Sequence, residues 1–137
     1  MALEEMRTVL RANPNHARGY YGLGWVYWYG LADSATALEH YETALRLSPR
    51  DPMRFITLMV KGCALRTAGR LNEAIDIGRE SCRYQGAGYL PRMHFAITLA
   101  KAGRIDEARA QLQVVRELEP GLCLASVRRS EEHTSEL

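Results

Sequence analysis

The chain nearly copies itself at a fixed interval. Thr67-Ala68-Gly69-Arg70-Leu71-Asn72-Glu73-Ala74 returns as Lys101-Ala102-Gly103-Arg104-Ile105-Asp106-Glu107-Ala108, with Gly69 and Gly103 34 residues apart. A fixed period of this length means stacked helical hairpins, in which each unit buries its apolar face only against its neighbours. The pattern inside the unit agrees. Ala37, Leu38, Tyr41, Ala44 and Leu45 follow i, i+1, i+4, i+7, i+8, one face of a helix; Leu71, Ala74, Ile75, Gly78 and Cys82 form a like stripe, as do Ala108, Leu112 and Val115. Phe55 to Leu65 is apolar nearly all round, as expected of a helix covered on both sides. No alternating strand pattern of useful length occurs, so the expected fold is all-α, a solenoid of antiparallel helix pairs.

The repeat extends outward. Pro14, Pro49 and Pro120 each end a helical pattern, and Gly86 takes that place in the middle unit, giving steps of 35, 37 and 34 residues. The first two junctions therefore carry short insertions. The first full unit reads Tyr20-Tyr21-Gly22-Leu23-Gly24-Trp25-Val26-Tyr27, then Ala37, Tyr41, Ala44, Leu45, Leu47 and Pro49. The middle unit keeps Gly62, Gly69 and Ala74 but has Gly78 and Ser81 where larger residues are usual; the third keeps Gly103, Ala108, Leu118 and Pro120. In spacing and residue type the chain resembles the tetratricopeptide repeat family over about residues 2 to 122, with tyrosine where that pattern has its first tryptophan. The expected array, 1–128, comprises a half repeat 1–16 and units at about 17–51, 55–88 and 89–122. Seven helices are expected near 2–12, 17–30, 34–47, 53–67, 71–84, 90–101 and 105–118. Asp51-Pro52 predicts an N-cap followed by proline at the first helical position, and Gly69 and Gly103 predict turns with positive φ.

Both ends read as artificial. Ala2 to Leu10 matches the second helix of a unit, so Met1 is expected to be an internal methionine of a longer reading frame. The alternative is that this helix is a true cap, which should be polar on its outer face. Residues 129–137, Arg129 to Leu137, resemble an in-frame translation of a short-read sequencing adapter, a non-native polar tail. The whole chain carries 18 basic and 16 acidic residues; with the tail set aside, 17 and 13 remain, a net +4 without any lysine or arginine block. Neither nucleic acid nor a membrane is thereby indicated as partner. No apolar run approaches the roughly 20 residues of a membrane span, and acids stand where a signal peptide needs a basic segment. A cytoplasmic location is expected.

Catalytic patterns are missing. Cys63, Cys82 and Cys123 have no C-x-x-C spacing and suit a reducing compartment as free thiols. His16, His40, His94 and His133 are scattered, with no pair at metal-ligand spacing on one helix. Gly19-x-x-Gly22-x-Gly24 follows no strand and overlays the repeat's own glycine, so it is not a phosphate loop. The chain is expected to be no enzyme and to need neither cofactor nor metal.

The remaining functional surface is a groove. The family resemblance implies that the first helix of each unit lines it, at the second, fifth, sixth, ninth, twelfth and thirteenth positions. Counted from Ala17, Phe55 and Tyr89, these include Arg18, Tyr21, Gly22, Trp25, Trp28, Tyr29, Met59, Cys63, Arg66, Met93, His94 and Lys101. The family's carboxylate clamp of lysine, arginine and asparagine is not reproduced. The groove is aromatic and methionine-rich, with Arg66 and Lys101 at one margin, which suits an apolar helix or peptide from a partner or from the missing part of the parent chain. The competing reading has Trp25, Trp28, Met59 and Met93 permanently covered by that missing part. A second, weaker resemblance concerns Leu47-Ser48-Pro49-Arg50-Asp51-Pro52 and Leu118-Glu119-Pro120-Gly121-Leu122 with Ala125 to Arg128. These look like C-terminal repeat regions of bacterial class III nucleotide cyclases and winged-helix regulators. The alternative they imply is a truncated regulatory or oligomerisation segment of a larger signalling protein.

Overall fold

The computed structural model describes residues 2–122; the adapter-like tail, Cys123, His133 and the Ala125–Arg128 part of the second resemblance lie outside them. Seven α-helices follow one another: α1 (Ala2–Ala12), α2 (Ala17–Trp25), α3 (Ser34–Leu47), α4 (Arg54–Thr67), α5 (Leu71–Cys82), α6 (Leu90–Lys101) and α7 (Ile105–Leu118). No strand occurs among the described residues. Each helix packs on the next in sequence, and α4 also touches α6 directly, so α2, α4 and α6 form one row of a two-layered solenoid.

The internal copy reproduces its geometry. Gly69 and Gly103 both have φ +79°. The Gly69 and Gly103 amides donate at 3.0 Å to the carbonyls of Arg66 and Ala100, and the Arg70 and Arg104 amides donate at 2.9 Å to Leu65 and Leu99. This double bond pattern closes a helix on a left-handed residue, which glycine adopts without a Cβ penalty. Arg70 and Arg104 then pair with Glu73 and Glu107, three residues on, across the first turn of the next helix. These pairs are half-exposed and contribute little stability.

Three local features depart from expectation. The helix read as 17–30 is α only to Trp25 and continues as a π turn over Val26–Gly30, with Leu31 N–H donating to Val26 O at 3.0 Å. One residue more than the 34-residue period separates Pro14 from Pro49, and a π turn is where a helix can absorb such a residue. Asp51 is not the N-cap of α4, and Pro52 is not its first residue. Asp51 Oδ1 accepts the Met53 amide at 2.9 Å and its carbonyl accepts that of Arg54, so a tight turn precedes a helix that starts at Arg54. Side-chain caps stand elsewhere: His16 Nδ1 accepts from Gly19 N at 2.9 Å, and Asp33 Oδ1 accepts from Thr36 N at 3.1 Å.

The core is built from small residues meeting large rings. Ala37, Ala64, Ala74 and Tyr41 are fully buried in one cluster, and Ile75, Phe95, Leu99 and Ala108 form a second. The Tyr41 ring lies where Gly24 would carry a side chain. Gly78, a position where a larger residue was expected, does the same for Phe95, whose ring carbon sits 2.9 Å from the place of its missing Cβ. In each case the glycine lets two helices approach.

Two outcomes are expected in urea denaturation followed by circular dichroism. Gly69→Ala and Gly103→Ala should each cost about 1 kcal/mol through backbone strain, although a methyl group there would touch nothing within 4 Å. Gly24→Ala should cost about 1–3 kcal/mol by overpacking. No loss at Gly69 would show that the turn is not limited by φ. Separately, the Tyr41 hydroxyl is buried without a hydrogen-bond partner among the described residues, and burial pushes its pKa well up. Tyr41→Phe should therefore leave stability unchanged or raise it by about 1 kcal/mol; a clear loss would reveal a partner for the hydroxyl.

Candidate functional site

Arg18, Tyr21 and Trp25 stand at i, i+3 and i+7 on α2 and so share a face. The π turn then brings Trp28 and Tyr29 beside them. The Trp25 ring lies 5.4 Å from Trp28 and 5.3 Å from Tyr29, the latter edge-to-face at 70°. Trp25 Nε1 donates to Tyr21 Oη at 2.9 Å. Trp28 Nε1 reaches across to α4 and donates to Thr67 Oγ1 at 3.1 Å, while Thr67 donates in turn to Cys63 O at 3.0 Å. Both indole N–H groups are satisfied, so what the rings offer outward is apolar area.

The aromatic residues divide into two layers. Tyr21, Trp28 and Met59 are half-buried against the core cluster around Tyr41. Trp25 and Tyr29 remain 36% and 48% exposed. An inner layer thus holds an outer one in place.

Further along the row, Cys63, Arg66 and His94 meet at a polar seam between α4 and α6. Arg66 Nη1 donates to His94 O at 3.0 Å and to Thr98 Oγ1 at 3.1 Å, so its guanidinium is tied into the seam and does not stand free at a margin with Lys101. Cys63 Sγ lies 3.5 Å from His94 Nδ1. Burial raises the Cys63 thiol's pKa, partly offset by Arg66, and burial together with the Arg66 charge lowers His94 to about 4. Both shifts favour the uncharged forms. An activated cysteine needs the opposite, a thiolate stabilised by a cation, so this pair has the character of a structural contact. Met93 is half-buried on α6 and does not line the seam. Lys101 is exposed at the end of α6. Gly22, counted among the groove positions, is covered: the place of its missing Cβ lies 2.6 Å from Met6 Sδ of α1.

Sequence reasoning missed the π turn that presents Trp28 and Tyr29; the only hint was the 35-residue first step. Among the described residues, no group of three or more His, Cys, Asp or Glu side chains could hold a metal ion, and no helix is long and apolar enough to cross a membrane.

The seam predicts a pH dependence. The unfolded imidazole titrates near 6.5 and the folded one near 4, so between these values the unfolded chain takes up a proton that the folded chain refuses. Stability should fall as pH drops from 6.5 towards 4 and stop responding to this group below that. Urea denaturation at about pH 7 and about pH 4.5 should show His94→Gln removing on the order of 2 kcal/mol of this pH difference. An unchanged difference would mean that His94 is accessible to protons in the fold.

Comparison with known proteins gives a consistent picture. The family profile described as tetratricopeptide repeat matches residues 2–52 and again 29–88. No curated protein matches the chain. The crystal structure of YrrB, a TPR protein with an unusual peptide-binding site, superposes with a TM-score of 0.68 at 26% identity, covering 87% of this chain and 59% of YrrB. TTC0263, a thermophilic TPR protein in Thermus thermophilus, gives 0.74 at 23% identity, covering 99% and 72%. MamA AMB-1 gives 0.67 at 21% identity, covering 91% and 66%. The chain thus spans 59% of YrrB and 66% of MamA. None of these matches bears on the weaker likeness to cyclase and regulator tails. With the profile matched from residue 2 to residue 88 and the helical pairs in place, the chain belongs to the tetratricopeptide repeat family.

Proposed function

We propose that the chain is a non-catalytic scaffold that binds an apolar helix or extended peptide on the face of α2, α4 and α6. The observation that carries this reading is the outer aromatic layer: Trp25 and Tyr29 are exposed, yet held in fixed geometry by Trp28, Tyr21 and Thr67. Rigid aromatic rings with satisfied polar groups offer large contact area at low entropic cost, and such residues dominate interfaces. A π turn is itself frequent at functional sites. YrrB's peptide-binding site supports the same class of ligand. Half-buried Met59 and Met93 would extend this surface along α4 and α6, with exposed Lys101 as its charged edge. The proposed organisation is a half repeat followed by three units within 1–128, and the ligand is a partner protein or a further part of the parent chain.

Both tryptophans of the chain lie in the aromatic cluster, so intrinsic fluorescence reports occupancy directly. Peptides enriched from a phage-displayed random dodecapeptide library should alter that fluorescence. Trp25→Ala should weaken their binding by roughly 2 kcal/mol or more, about 30-fold, with the helical circular dichroism signal preserved. Lys101→Ala should matter less, and mostly at low salt. Unaltered affinity in Trp25→Ala, or loss of helicity in that variant, would remove Trp25 from the binding surface.

A further inference from the structure

We infer that the peptide bound on this face carries an acidic group about three residues from its apolar anchor, received by an arginine-lined cleft at the foot of α2. The inference rests on the peptide-binding reading above and adds a polar requirement to it. The cleft, about 160 Å³, opens between the first turns of α2, the last turn of α3 and the start of α4. Arg18, Tyr21, Ser48, Asp51, Arg54 and Ile56 are among its walls. Drug-sized ligands occupy roughly 300–1,000 Å³, so this volume suits a single side chain or chain end.

Charge decides which kind. Two arginines and one aspartate are among the lining residues, and Asp51 Oδ1 already accepts the Met53 amide at 2.9 Å. Arg54 Nη1 donates to Leu45 O at 3.0 Å, which fixes the guanidinium while leaving other N–H donors of its fork unused by that bond. The Arg18 side chain is exposed and has no hydrogen bond or ion pair to any described residue. An arginine pair of which one member is pinned and the other unpartnered is suited to gripping a carboxylate.

Tyr21 joins this cleft to the aromatic cluster. It lines the cleft, and its hydroxyl accepts the Trp25 indole N–H. Arg18 and Trp25, seven residues apart on one helix face, are separated by about 10 Å along the axis. An extended peptide rises about 3.3 Å per residue, which sets the spacing of about three residues.

The test uses the full chain and the same phage-displayed dodecapeptides, whose C-termini are fused and so offer only side-chain carboxylates. Enriched peptides should carry Asp or Glu about three residues from an aromatic or large aliphatic residue. In one synthesised peptide, changing that Glu to Gln should lower affinity about tenfold or more for the wild type, but less than about twofold for Arg18→Gln, which keeps its melting temperature. The same peptides ending at the acidic position, as free acid or amide, show whether a chain-terminal carboxylate serves equally. Enrichment of apolar peptides with no acidic position, or an equal Glu-to-Gln effect in Arg18→Gln, overturns this inference and leaves the peptide-binding reading standing. No enrichment at all sinks both.

Discussion

The approach of α2 to α3 at Gly24 governs where every aromatic side chain of the first unit goes. Tyr41 is fully buried, and its ring fills the space a side chain on Gly24 would need. With that ring in place, the two helices sit too close for a second large residue between them. His40 of α3 stacks on Tyr20 and Tyr27 at 6.1 and 5.3 Å, on one flank of the contact. Tyr21 lies 6.2 Å from Tyr41 on the other. Trp25, Trp28 and Tyr29 are left for the α4 side, where Trp28 finds Thr67. An exposed aromatic surface is thus a consequence of a dense core. The cost is one buried hydroxyl without a partner among the described residues.

The row of first helices then contrasts two kinds of contact. Between α2 and α4 the link is an indole hydrogen bond flanked by apolar packing. Between α4 and α6 it is a polar seam in which one guanidinium and one threonine share the His94 carbonyl. Buried polar groups of this kind specify register more than they add stability, because a mispaired seam leaves donors unsatisfied. The seam aligns the second and third units, and the aromatic layer occupies the end next to the first. Exposed aromatic area and register-setting polar contacts thus occupy different parts of one face.

Much of this was legible in the chain. The 34-residue spacing of Gly69 and Gly103 yielded identical turns, down to φ and both hydrogen bonds, because a left-handed helix stop leaves a strong local signature. The helical stripes located the buried faces of α3, α5 and α7, except that Leu112 of the α7 stripe stands 39% exposed. What escaped depends on distant partners. Gly78 read as a weak position until Phe95 was seen against it, and Gly22 read as groove until Met6 was seen covering it. Arg66 reads as a groove-margin residue by its position, but the carbonyl that holds it belongs to another helix. Asp51-Pro52 fits a helix start by composition, and only the bond from the Met53 amide shows that the turn comes first. The arginine cleft combines residues from three helices and the connection between α3 and α4, a juxtaposition no spacing rule encodes.

We propose that a partner docks on the outer aromatic layer of α2. Nitrogen-15 NMR tests it most directly, since the chain has two indole N–H resonances and both belong to this cluster. On titration with an enriched peptide, the indole signals of Trp25 and Trp28 should shift together with amides of α4 facing them, while amides of α5 and α7 on the opposite layer stay still. Indole signals that remain fixed while α3, α5 or α7 responds would place the interface on the other side of the solenoid and contradict the account.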